Sequence, residues 1–148
     1  MKKQKRWETI NKSQISTNKS INQIIQIILE NRGIKTTEEV EADCIDYIFC
    51  SDDYLLEINR NTLNHDYYTD IITFDLTPSK KGPIQSEIYI SIDRVRDNAH
   101  THGSSFNREL HRVIFHGLLH LLGYKDKTPK DEKIMRMMED QFIALYFG

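Results

Sequence analysis

The chain has 148 residues, 39% of them hydrophobic, which suits one globular domain able to bury a real core. Its 20 Lys plus Arg against 22 Asp plus Glu give a formal charge of -2, so no global field draws it to nucleic acid or to an anionic membrane, and RNA binding requires a local basic patch. No repeat, low-complexity tract or Pro/Gly/Ser-rich linker divides residues 1–148, which are read as a single domain. The basic start has no apolar run behind it, and no segment approaches the roughly 20 apolar residues of a membrane span. The expectation is a soluble cytoplasmic protein with no membrane partner.

The first strong element is a helix from about Ser20 to Arg32, with Ile21, Ile24, Ile25 and Ile28 on one face and Gly33 as its stop. Cys44 to Cys50 is β-branched and aromatic and reads as a strand; its two cysteines lack CxxC spacing and read as reduced, buried thiols. Ser51-Asp52-Asp53 caps a helix through Leu55, Leu56, Ile58 and Asn59, and polar Asn61 to Tyr68 reads as a loop. Asp70 to Leu76 and Glu87 to Ile92 read as strands separated by a turn with Pro78 and Gly82. Asp93 is expected to cap the next helix, which Gly103 ends.

Ser104 or Ser105 can cap a further helix whose buried stripe is Leu110, Val113, Ile114, Gly117, Leu118 and Leu121, ending near Gly123. Thr128 as N-cap and Pro129 at the first helical position start the last one, with Met135, Met138, Phe142 and Leu145 facing inward. The Met135, Met137, Met138 cluster reads as core filling.

His116 and His120 lie four residues apart on one helix face and can share a metal ion. Gly123 lets the backbone leave the helix, and Asp126 can return toward the two rings, giving His-x-x-x-His-x-x-Gly-x-x-Asp. The spacing is similar to the metzincin signature, but Gly117 occupies the place of the protease's general-base Glu, which disfavours peptide hydrolysis. Three protein ligands leave a coordination position open, as catalytic sites do. A Zn²⁺ ion on two neutral histidines and one carboxylate keeps a formal charge of about +1, which favours an anionic substrate. Lys125, Lys127 and Lys130 surround Asp126 and can guide a phosphodiester backbone. Glu109 precedes His116 by about 10 Å along the helix at 1.5 Å per residue, and Asp70 is expected to fix a strand start through its backbone. His65, His100, His102 and His111 show no partner spacing and read as surface or capping residues.

The run His116-Gly117-Leu118-Leu119-His120-Leu121-Leu122-Gly123-Tyr124 resembles the signature HGxLHLxGYDH of the YbeY family. Upstream, Ile58-Asn59, Asp66, Thr69-Asp70-Ile71-Ile72 and Phe74 match the family's LNxxYRxxDxxTDVLSF, and Ser86-Glu87-Ile88 lies where the family has Gly-Asp-Ile. The resemblance runs from about Cys44 to Met138. It implies an α+β fold, a small mixed sheet packed with helices in which the C-terminal helices carry the metal site. It also implies single-strand-specific, metal-dependent RNA cleavage in ribosomal RNA maturation, especially of the small ribosomal subunit. Asp126 stands where the commonest family form has histidine, and Lys125 where it has Asp. The family's phosphate-binding arginine falls on Leu63; Arg60, one turn earlier, is a candidate substitute alongside Lys125 and Lys127.

The expected cofactor is one Zn²⁺ per chain or another divalent transition metal, held by His116, His120 and Asp126. The nucleophile stays open between a metal-activated water and the RNA 2′-OH. Two alternatives remain beside the endoribonuclease: a ribosome-assembly RNA-binding factor with a mainly structural metal, and another metalloenzyme, either a hydrolase or an Fe(II) oxygenase.

Overall fold

The computed structural model describes residues 45–77 and 85–147. The expected helix from Ser20 to Arg32, Cys44 and the Pro78–Gly82 turn lie outside them. Within them, the alternating apolar segments form β1 (Ile45–Cys50), β2 (Ile71–Asp75) and β3 (Ser86–Ser91). The sheet order is β1-β3-β2, with β1 parallel to β3 and β2 antiparallel to it, so the sheet is mixed as expected. Registers run from Ile45 opposite Ser86 to Cys50 opposite Ser91, and from Ile71 opposite Ile90 to Asp75 opposite Ser86.

The two-residue period of the strands sorts their side chains to two faces. Ile45, Phe49, Ile88 and Ile90 pack with Val113, Ile114, Phe115 and Leu118 of the histidine-bearing helix, completed by Met135 and Phe142. Cys50 and Ile72 turn the other way, against Leu55. Both sheet faces are therefore covered by helices.

Four helices complete the described fold: α1 (Asp52–Leu63), α2 (Ile92–His102), α3 (Phe106–Leu121) and α4 (Pro129–Phe147). Ser51 and Ser105 cap α1 and α3 through their hydroxyls. Thr128 caps α4, accepting the amide of Asp131 at 3.1 Å. No helix among the described residues is long and apolar enough to cross a membrane.

Several local expectations are corrected. Residues 61–63 continue α1, because nothing breaks the helix before Asn64 turns left-handed at φ 54°. Ile92 opens α2 rather than ending β3, since Ser91 accepts the amide of Arg94 and is the N-cap. Asp93 instead accepts the amide of Asp52 at 2.9 Å, stitching α1 to α2. Met137 and Leu145 are half-exposed, on the outer side of α4. His111 is fully buried, stacked on Tyr146 with centroids 4.3 Å apart, and its Nδ1 is 2.7 Å from the Asn107 carbonyl.

Candidate metal centre

The last turn of α3 and the turn after it build the site. His116 and His120 share a face, and their Nε2 atoms lie 2.9 Å apart. Gly123 adopts φ 94°, a conformation open to glycine without strain, and the chain reverses so that Asp126 Oδ2 comes within 3.2 Å of both Nε2 atoms. The three expected ligands thus converge, all within 4.8 Å of one another, and they form the only such His/Cys/Asp/Glu group found among the described residues.

The outward nitrogens explain why this cluster suits a cation. His120 Nδ1 sits 3.0 Å from the Tyr124 carbonyl, which can only accept, so this nitrogen carries the proton. His116 Nδ1 donates to Glu139 Oε2 at 2.6 Å. Both Nε2 atoms are then lone-pair donors facing each other and a carboxylate. Tetrahedral bonds of about 2.0–2.1 Å set ligand atoms roughly 3.3 Å apart, close to the spacing here, so the donor set fits a zinc-like ion.

Burial alone would lower the His116 pKa, but the hydrogen bond and charge of Glu139, with the nearby carboxylates of Asp70 and Asp126, hold it above the ordinary value. The surroundings therefore favour a positive charge at this point. The side chains of His116, His120 and Asp126 are 22%, 30% and 39% exposed, so the centre opens to solvent, unlike a closed structural site.

Glu139 is the residue that the sequence reading missed. It sits 23 residues after His116 on a different helix, is 5% exposed, and is held by Arg112 at 3.3 Å. One signal pointed to it: Glu139 follows Met135 by four and precedes Phe142 by three, so it is a charge on the buried face of α4. Such carboxylate-histidine pairs orient metal ligands.

A groove of about 540 Å³ is lined by His116, His120 and Asp126 together with Asn59, His65 and Tyr67. Asp70 lines its wall. The Asp70 carbonyl accepts the Ser91 amide at 2.8 Å, as expected of a strand start. Burial pushes the Asp70 carboxyl above the usual carboxylate range, only partly offset by His116. Of the three expected phosphate contacts, Lys127 lines this groove, Lys125 is exposed beside Asp126, and Arg60 is engaged by Asp66. Leu63, in the place of the family's arginine, lines the groove too. Glu109 is buried and pairs with His102 at 3.5 Å rather than with the centre.

Gly117 has a packing role of its own. A Cβ there would meet Ile71 Cδ1 at 2.8 Å and Ile88 Cγ2 at 3.2 Å, because α3 lies directly on the sheet. The position that bears a protease's glutamate has no room for one.

A family model described as Endoribonuclease YbeY matches residues 2–146. The chain belongs to the YbeY family. A YbeY endoribonuclease of Cytophaga hutchinsonii is 59% identical over 101 residues, 68% of this chain and 70% of the relative. That of Parabacteroides distasonis is 46% identical over 127 residues, 86% of this chain and 84% of the relative. The solution structure of a Thermotoga maritima protein shares the fold, with a TM-score of 0.57 at 26% identity over 85% of this chain and 78% of that one. The α+β fold expected from the YbeY resemblance is the fold observed.

Proposed function

We propose that this chain is a metal-dependent endoribonuclease that cleaves single-stranded RNA during ribosomal RNA maturation in the cytoplasm, with small-subunit RNA as its target. The observation that carries the chemistry is the convergence of two Nε2 lone pairs and one carboxylate oxygen whose partners fix them in that state. Family membership carries the substrate. We assign His116, His120 and Asp126 as the ligands of one Zn²⁺ ion in a single domain spanning residues 1–148. When bound, the ion supplies Lewis acidity toward a phosphoryl oxygen and acidifies a water ligand.

The chain's own residues do the rest. Glu139 and the Tyr124 carbonyl lock the two imidazoles in the tautomer that presents Nε2 inward. Lys127 meets the phosphodiester backbone at the groove, with Lys125 beside it; Arg60 joins them by exchanging Asp66 for a phosphate. Asp70, a carboxyl of raised proton affinity in the groove wall, has the property expected of a proton carrier.

The test is metal analysis of purified protein combined with cleavage of matched single-stranded and duplex RNAs. About one transition-metal ion per chain, and cleavage of the single strand that is lost in His116→Ala, are expected. Purified wild type that holds no metal, and whose His116→Ala form is indistinguishable from it, would overturn the assignment. RNA affinity that survives metal removal, with no turnover in the loaded protein, would make it an assembly factor instead.

A further inference from the structure

The groove lined by the candidate metal centre is also lined by an aromatic pair that metal binding does not explain. His65 and Tyr67 stack with centroids 5.1 Å apart and planes inclined by 20°, and Tyr67 Oη lies 2.9 Å from His65 Nδ1. Tyr67 is nevertheless 56% exposed.

The loop bearing this pair is held in place. Asn59, itself 1% exposed, accepts the amides of Asn64 and His65 on its backbone carbonyl and donates its side-chain Nδ2 to the Tyr67 carbonyl at 2.9 Å. The end of α1 and one buried side-chain amide thus fix the loop that carries an exposed aromatic stack. Rigid aromatic area costs little entropy when a ligand lands on it.

We propose that the His65–Tyr67 stack is a base-binding platform, which receives the nucleobase next to the phosphate held at His116, His120 and Asp126. The proposal rests on the endoribonuclease reading and deepens it. A base within a duplex is already stacked on its neighbours, so only an unpaired base can use the platform, which gives a physical origin for a single-strand preference. Asp70 and Asp75, which line the same groove, offer acceptors to the amino groups of bases. Tyr68 is excluded as the platform: its hydroxyl donates to Asp53 at 3.1 Å and Arg94 lies over its ring at 5.3 Å.

The experiment is a binding cycle on the full chain with a short single-stranded RNA carrying 2-aminopurine at one position after another, and the same RNAs with an abasic site there. In wild type, one position should show quenched fluorescence, and its abasic form should bind about 10-fold more weakly. Tyr67→Ala should lose that quenching and bind intact RNA about 10-fold more weakly, while no longer sensing the abasic site. Metal content and salt dependence should stay those of wild type, and Tyr67→Phe should behave as wild type. Equal affinity of Tyr67→Ala and wild type, with the wild type cleaving RNA, would overturn the platform and leave the nuclease reading standing. Loaded wild type that neither binds nor cleaves the RNA would overturn both.

Discussion

Replacing Glu139 by Gln isolates the contribution of a carboxylate that touches no metal. Gln preserves side-chain size and can still accept from His116 Nδ1 through its amide oxygen, so the imidazole keeps its tautomer. It loses the negative charge behind a 2.6 Å buried contact and one of the two carboxylates that hold Arg112, which keeps Asp140 at 2.8 Å. A charge-assisted bond contributes about 1.5–3 kcal/mol, and a neutral one about 0.5–1.5, so the variant loses roughly 1–2 kcal/mol of support for a positively charged ligand set. At 1.4 kcal/mol per decade this is about 5- to 30-fold in metal affinity, overlapping the lower part of the roughly 10–100-fold general for such partners. Competition of zinc against a chromophoric chelator at fixed pH measures it directly, and melting of the metal-free proteins controls for a fold effect. Metal affinity of Glu139→Gln within about twofold of wild type, with equal melting of the metal-free forms, would refute the argument.

Asp126→Asn should weaken metal binding by removing the one negative ligand, and Asp126→His should restore it; an Asn variant that retains the metal would place the third ligand elsewhere. Burial holds the His111 pKa below its ordinary value, so the unfolded chain binds this proton more readily than the folded one. Stability should therefore fall as pH drops below about 6.5, and urea unfolding at several pH values should show a shallower decline in His111→Phe; identical slopes would contradict this. Gly117→Ala forces a Cβ against Ile71 and Ile88 and should cost about 1–3 kcal/mol in unfolding free energy, measured on the metal-free protein.

Local periodicity made much of this molecule legible. Ser51 and Ser105 cap helices as their spacing indicated, and Met135 and Phe142 are buried where a 3.6-residue period places them. The clustering of His116, His120 and Asp126 was readable because the three span only 11 residues, with Gly123 at the turn. Contacts between distant segments were not readable in this way. Glu139 reaches His116 only because α4 folds back on α3, and Asp93 caps α1 only because α1 and α2 start side by side. His111 carries no spacing signal, since the aromatic residues that enclose it, Tyr146 and Phe147, come from the far end of α4. Leu63 and Asn59 became interpretable only once their groove was visible: one lines it where the family carries a cation, and the other anchors its rim.

The order of these residues along the chain has a consequence for the protein's birth. Translation delivers His116, His120 and Asp126 first and Glu139 only after half of α4 has been made. A nascent chain therefore owns all three members of the cluster before it owns the carboxylate that aligns the first of them, and that alignment waits for α4 to dock.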